Sequence, residues 1–216
     1  MTFCDRTEAG RRLAKALAGF KGKPVVVLAL PRGGVPVAVE VAAALEAPLD
    51  LVLVRKIGVP GQPELAMGAA VEGAPPVVLR NESVIATLAI GAADFARVRD
   101  RELAELERRR QAYLADRPRR DVAGKVAILV DDGIATGMSI RAAARAMAAR
   151  GAAEIVIAVP VAASDVVDDL RQQGFKVVCV EQPRDLRAIG FHYDDFRQVE
   201  DEAVRRLLAS RREAAG

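Results

Sequence analysis

The residues most suggestive of chemistry are two adjacent carboxylates followed at once by a loop of small and hydroxylated residues. In VAILVDDGIATGMS (126–139), Asp131 and Asp132 follow an aliphatic run and precede Thr136, Gly137 and Ser139. Such a loop ahead of a helix gathers backbone N–H groups and the positive end of the helix dipole around one point, which suits a phosphate. The carboxylates suit sugar hydroxyls, or a divalent cation shared with substrate oxygens. The segment therefore predicts a site for a phosphorylated sugar.

Other interpretations of this loop fit the residues less well. A Walker loop requires G-x-x-x-x-G-K-[ST] and a dinucleotide fingerprint requires G-x-G-x-x-G, and the segment contains neither. A purely structural turn with one aspartate as a helix N-cap is an alternative, but a cap does not need two carboxylates. A phosphatase or nucleotide hydrolase that uses the pair as metal ligands lacks further carboxylate or histidine ligands nearby.

Two further segments carry groups suited to an anion. PRGG (31–34) combines a rigid proline, the guanidinium of Arg32 and the close-approach amides of Gly33 and Gly34, although an ordinary turn with a surface arginine explains the tetrapeptide alone. Arg55 and Lys56 follow an aliphatic run. Because side chains alternate along a strand, at most one of these two is expected at the ligand, and Lys56 is favoured.

The elements that must position these residues are those of an α/β fold. Nearly continuous aliphatic runs at 25–30, 49–54, 126–131, 155–160 and 177–180 are typical of parallel strands covered by helices on both faces. Alanine-rich helical patterns cover 35–45, 140–150 and 164–173, and Gly151 and Gly174 stand where helix C-caps belong. The sequence predicts one domain, 1–216, with an open, mainly parallel, doubly wound sheet. Ligands of such sheets lie beyond the carboxyl ends of the strands.

Three segments lie outside this alternation of strands and helices. Residues 64–80 predict two short strands around a Gly/Pro turn that project as a flap. Residues 83–116 predict a charged helical insertion broken near Gly91. Three roles for this insertion stay open: a lid, a dimer arm or decoration without a function. Residues 181–216 predict a hood segment and a C-terminal helix.

Composition narrows the classes of partner. The net charge of +3 comes from bases that alternate with acids, and only two Tyr, six Phe and no Trp are available for stacking, which argues against nucleic acid. No apolar run reaches the roughly 20 residues that cross a bilayer, and the N-terminus is too charged for a secretory signal, so we expect no membrane partner and a cytoplasmic protein. Cys4 and Cys179 are expected to be reduced thiols.

Taken together, VAILVDDGIATGMS and PRGG resemble motifs of the type I phosphoribosyltransferases, and RKIGVPGQPELAMGA with AIGFHYDDF resembles poorly characterised bacterial members of that family. The resemblance implies phosphoribosyl diphosphate as substrate, Mg²⁺ bound through that substrate, a nitrogen acceptor, and a homodimer. Gly133 stands where an aliphatic residue is common, and Ala135 where a small residue or a second threonine is usual. Neither change removes a backbone donor.

The resemblance also implies roles for individual residues. Asp131 and Asp132 meet the ribose hydroxyls and stabilise the cationic transition state, with a metal contact as an option. Arg32, Gly33, Gly34 and Lys56 hold the diphosphate, and Lys56 counts among the catalytic groups. The 5-phosphate is implied to lie on Ala135, Thr136, Gly137, Met138 and Ser139.

The acceptor is where the residues are least informative. The tail EQPRDLRAIGFHYDDF (181–196) lies where related enzymes recognise the base, and Phe191, His192 and Tyr193 have rings that stack on or bond to a base. Packing of the tail by Phe191 and Tyr193 is an equal alternative. A noncatalytic sensor of phosphoribosyl diphosphate or a nucleotide is the second function, because this fold also serves in regulators.

Overall fold

The computed structural model describes residues 2–73, 75–114 and 119–213, with side chains described as far as residue 210. Its centre is a five-stranded, wholly parallel sheet in the order β2-β1-β6-β7-β8. The strands are β1 (Val25–Ala29), β2 (Leu49–Leu51), β6 (Val126–Val130), β7 (Glu154–Val161) and β8 (Lys176–Glu181). The predicted open parallel sheet is confirmed, and each of the five aliphatic runs contributes one of its strands.

Helices cover both faces of this sheet, as the continuous aliphatic runs predicted. Along β1, Val25, Val27 and Ala29 face one apolar cluster while Val26 and Leu28 face the other. One face carries α1 (Arg6–Ala16) and α2 (Gly34–Leu45), and the other carries α5 (Met138–Ala149) and α6 (Ser164–Gln172). Gly151 and Gly174 follow the C-caps of α5 and α6 with φ values of 78° and 87°, as predicted.

A second, antiparallel sheet of three strands lies outside the parallel one. It consists of β3 (Val54–Val59), β4 (Gln62–Val71) and β5 (Val77–Arg80). The predicted strand 49–54 was too long: β2 ends at Leu51 and Val54 already pairs with Val71 of the second sheet. Arg55 and Lys56 therefore lie within a hairpin and not at the carboxyl end of a parallel strand. The sequence gives no sign of this change of sheet, because Val52 and Leu53 between the two strands are aliphatic and buried as well.

Helices make up most of the described part of the insertion and the end of the described tail. Asn81 caps α3 (Glu82–Thr87) by accepting a hydrogen bond from the N–H of Val84 at 3.2 Å, and α4 (Ala92–Leu114) begins after the predicted break at Gly91. The last described element is α7 (Asp201–Glu213), and 3-10 helices occur at Ala18–Phe20 and Ile189–His192. Among the described residues, no helix is both long and apolar enough to cross a membrane.

Candidate functional site

The acid pair lies at the carboxyl end of the central strand β6, directly after Val130. Asp131 Oδ1 accepts a hydrogen bond from the backbone N–H of Asp132 at 2.9 Å. Asp132 Oδ2 accepts from Nε of Arg6 at 2.8 Å, and the Tyr193 hydroxyl donates to the backbone oxygen of Asp132 at 2.6 Å. Both aspartates are partly buried. Asp132 is thus held from α1 and from the tail before any ligand arrives.

The two carboxylates have different electrostatic surroundings. Burial and the neighbouring charge of Asp132 raise the pKa of Asp131 well above its ordinary value, and Arg6 opposes that shift. Asp132 is ion-paired with Arg6, whose side chain is only 11% exposed. The site therefore contains one carboxyl group that favours its proton and one that faces a buried cation.

The PRGG loop packs directly against this pair. A Cβ atom on Gly33 would lie 2.0 Å from Asp132 Oδ2, and one on Gly34 would lie 2.6 Å from the backbone oxygen of Val130. Only glycine permits this approach of the β1–α2 turn to the end of β6. The peptide bond between Pro31 and Arg32 is cis. The structure therefore brings together two segments that the sequence separates by about a hundred residues.

Arg32 projects from this loop toward the C-terminal segment. Its Nη1 lies 3.5 Å from Oδ1 of Asp201, the first residue of α7. With the Gln198 amide oriented by its hydrogen bonds, the oxygen of that side chain accepts from Arg32 Nη1 at 3.1 Å and also from Nη2. The guanidinium is thus fixed in direction and retains 28% exposure of its side chain.

The predicted phosphate loop leads into α5. Gly137 is the N-cap of this helix with φ of 76°, and Ala135, Thr136 and Ser139 are exposed. Because the first N–H groups of a helix lack intrahelical acceptors, the start of α5 presents donors to solvent. The aspartates are not its caps, so the N-cap role that the purely structural alternative gave to one of them is wrong. Arg141 Nη1 donates to the backbone oxygen of Thr136 at 2.6 Å and its other terminal nitrogen pairs with Asp169.

Lys56 and Arg55 point apart, as strand alternation predicted. Lys56 Nζ donates to both the backbone oxygen and Oε2 of Glu64 across the β3–β4 hairpin, each at 3.0 Å, and its side chain is 38% exposed. Arg55 pairs with Glu102 of α4 at 2.7 Å. Residues 54–71 therefore form a β hairpin that carries Lys56 on its first strand.

The tail separates the two candidate base-binding residues. Phe191 is 71% exposed, whereas Tyr193 is buried with its ring centroid 5.3 Å from that of Phe3 and 5.0 Å from that of Phe196. The guanidinium of Arg6 stacks 4.0 Å from the centroid of Phe196. Tyr193 therefore packs the tail and supports Asp132, so the packing alternative holds for Tyr193 and the predicted base contact of Tyr193 is wrong. That alternative does not hold for Phe191, whose exposed ring is available to a ligand.

Sequence reasoning missed the residues that hold the site from a distance. Arg6 stands among other charges in an N-terminal helix that was not predicted, and Asp201 stands in an acidic stretch of the tail. Neither position carries a local pattern that sets it apart from a solvated surface charge. Only their contacts with Asp132 and Arg32 distinguish them.

The donor set limits how a metal would bind. Within the described ranges, no group of three or more His, Cys, Asp and Glu side chains is arranged to hold a metal ion. Mg²⁺ commonly binds through one or two carboxylates together with substrate phosphates. The acid pair fits that role, so this site suits a metal that arrives with a phosphorylated substrate.

Comparison with known proteins shows which family this chain resembles. The family described as "Phosphoribosyl transferase domain" matches residues 6–195. Two proteins of Mycobacterium tuberculosis, "Putative phosphoribosyl transferase MT0597" and "Putative phosphoribosyl transferase Rv0571c", are each 46% identical over 202 residues, or 94% of this chain. The chain spans 45% of the length of these relatives. The crystal structure of TT1426 from Thermus thermophilus superposes with a TM-score of 0.80 at 41% identity, covering 97% of this chain and 99% of that one. The chain belongs to the phosphoribosyl transferase domain family.

Proposed function

We propose that this chain transfers 5-phosphoribose from phosphoribosyl diphosphate to a nitrogen acceptor, with release of diphosphate. Nucleobases are the class of acceptor that we propose. The observation that carries the proposal is the contact between the PRGG loop and the acid pair, where Gly33 leaves no room for a Cβ atom beside Asp132. This contact places an arginine-bearing loop and a carboxylate pair beside the same strand end. A sugar with phosphate groups at both ends matches such an arrangement.

The 5-phosphate is proposed to lie at the start of α5. The exposed residues Ala135, Thr136 and Ser139, together with Gly137 and Met138, supply backbone N–H groups and hydroxyls around the positive end of the helix. Arg141, which holds the Thr136 carbonyl, adds a positive charge beside this loop. The ribose hydroxyls then donate to Asp131 and Asp132.

The diphosphate is proposed to lie on the PRGG side. Arg32 and the amides of Gly33 and Gly34 bind its oxygens, and Lys56 reaches it by exchanging its contact with the exposed Glu64. Mg²⁺, held by diphosphate oxygens and Asp131 or Asp132, would neutralise negative charge on the leaving group.

The reaction then requires positioning and electrostatics more than covalent help. The C1–O bond to diphosphate breaks and its electron pair leaves with the diphosphate, while the lone pair of the acceptor nitrogen forms the new bond to C1 from the opposite face. The proton of that nitrogen passes to the departing diphosphate or to water. Positive charge develops on the ribose ring next to Asp131 and Asp132. Asp132, the carboxylate paired with Arg6, is only 13% exposed, so its interaction with a cation is weakly screened and strengthens as the charge develops.

The acceptor site is proposed at the tail, where the exposed ring of Phe191 offers a stacking surface. Tyr193 serves this proposal by holding the backbone of Asp132. A homodimer, a cytoplasmic location and the absence of a nucleic-acid partner stay predictions.

The test is to incubate the protein with Mg²⁺ and phosphoribosyl diphosphate, add a panel of bases singly, and follow diphosphate release. We expect release that depends on one base, and a loss of about 100-fold or more in Asp131→Asn and Asp132→Asn. Asp100→Asn, which changes an exposed aspartate on α4, is the matched control and should behave as wild type. Tight ligand binding without release for any base would overturn catalysis in favour of a sensor.

A further inference from the structure

Arg32 is the only arginine of the PRGG loop, and its neighbours belong to elements far away in the chain. Asp201, at the start of α7, lies 3.5 Å from its Nη1, and Gln198, just before that helix, accepts from the same guanidinium. An arginine side chain has about 2 kcal/mol of rotamer freedom, which is lost when it binds a ligand. Contacts that fix the guanidinium beforehand reduce this cost.

Asp201 is itself held by the helical insertion. The hydroxyl of Tyr113, in the last turn of α4, donates to Asp201 Oδ1, the same oxygen that faces Arg32. Tyr113 is only 6% exposed, and burial with the nearby carboxylate raises its pKa to about 12, so it remains a donor at neutral pH. Arg205 of α7 ties the two helices a second time by donating to the backbone oxygen of Ala112 at 3.0 Å.

We propose that Asp201 and Tyr113 are positioning residues that aim Arg32 at the diphosphate of the substrate. This inference rests on the proposed function. In this proposal the end of α4 supports the diphosphate side of the site. This is a fourth role for the helical insertion, beside the lid, dimer arm and decoration that the sequence left open.

The geometry favours positioning over sequestration of Arg32. Because Tyr113 already donates to Oδ1 of Asp201, that oxygen is shared, and its 3.5 Å separation from Nη1 is longer than a strong charge-assisted hydrogen bond. Arg32 has five N–H donors, and one oxygen of Asp201 and one of Gln198 cannot occupy them all. Donors therefore remain for a ligand while the direction of the side chain is set.

The experiment compares two ligands that differ only on the side where Arg32 acts. Dissociation constants for phosphoribosyl diphosphate and for ribose 5-phosphate are measured calorimetrically for wild type, Asp201→Ala and Tyr113→Phe. We expect both variants to bind phosphoribosyl diphosphate about three- to tenfold more weakly, because each loses one contact that acts on the ligand only through Arg32. Both should bind ribose 5-phosphate with the same affinity as wild type. Asp100→Ala removes an exposed acid of α4 that pairs with Arg99 and contacts none of these residues, so it should change neither ligand.

A second comparison isolates the route through Arg32. In an Arg32→Ala background, Asp201→Ala should produce no further loss of affinity for phosphoribosyl diphosphate, because the group that it positions is gone. With turnover, the Asp201→Ala defect should appear in KM for phosphoribosyl diphosphate more than in kcat.

Each remaining outcome decides the matter. If wild type binds neither ligand, the proposed function fails and this inference fails with it. If wild type binds both, but the variants leave both affinities unchanged, weaken both equally, or tighten phosphoribosyl diphosphate binding, positioning by Asp201 and Tyr113 is wrong and the proposed function stands.

Discussion

Replacement of Arg6 by glutamine tests whether Asp132 depends on a partner 126 residues away. Arg6 donates from Nε to Asp132 Oδ2 at 2.8 Å and from Nη1 to the backbone oxygen of Arg197 at 2.9 Å. The two paired side chains are 11% and 13% exposed. Arg6→Gln leaves the carboxylate of Asp132 without its cation, so the free energy of unfolding should fall.

The size of the effect follows from this geometry. Two unit charges 2.8 Å apart attract by about 6 kcal/mol at an effective dielectric of about 20, and desolvation of both ions offsets much of that. Loss of one partner of a buried pair costs about 3–5 kcal/mol, and the residual exposure of this pair places its cost at the lower end, about 3 kcal/mol. For a chain of this size we expect the Tm to fall by about 6–12 °C.

The assay is urea denaturation at neutral pH of wild type, Arg6→Gln and the control Arg11→Gln. Arg11 lies on the same helix and pairs with Glu40 at 3.1 Å, but it is 66% exposed, so its loss should cost less than about 1 kcal/mol. Equal destabilisation by the two substitutions would refute the reasoning.

A double-mutant cycle sharpens the result. Asp132→Asn should cost less in the Arg6→Gln background than in wild type, by a coupling of about 1–3 kcal/mol. Additive losses would show that Arg6 stabilises the chain through its other contacts, such as its stacking on Phe196.

Three further predictions concern the same strand end. The folded pKa of Asp131 is raised above 3.8, so the stability that this group contributes at low pH is lost as the pH rises from 3.8 toward the raised pKa. In Asp131→Asn this decline of the unfolding free energy should be flatter than in wild type. Parallel curves of unfolding free energy against pH for the two proteins would contradict the prediction. In Gly33→Ala the new Cβ would lie 2.0 Å from Asp132 Oδ2, so this variant should be destabilised by about 1–3 kcal/mol and should bind phosphoribosyl diphosphate more weakly. The control is Gly19→Ala, because a Cβ there would have nothing within 4 Å. In urea titrations the control should stay within about 0.5 kcal/mol of wild type. Tyr193→Phe keeps the buried ring but loses the bond to the Asp132 carbonyl, so it should cost about 1 kcal/mol in the same titration, and an unchanged midpoint would show that this bond contributes nothing.

Elements with a strong local signal could be predicted from the sequence. β1 and β6 are continuous aliphatic runs, and each ends within one residue of its predicted end. The end of β2 could not be predicted, because Val52 and Leu53 remain buried while the chain passes from one sheet to the other. Hydrophobicity reports burial, and it does not report which sheet supplies the hydrogen bonds.

The sequence by itself determined the parallel α/β fold and the two loops after β1 and β6, since aliphatic continuity, glycines and the paired carboxylates are local features. Tertiary structure alone decided which distant charges hold those loops. Arg6 reaches Asp132 from α1, and Asp201 with Tyr113 reaches Arg32 from α7 and α4. These pairings depend on the three-dimensional path of the chain, because a single charged residue has many oppositely charged candidates and no spacing rule selects among them.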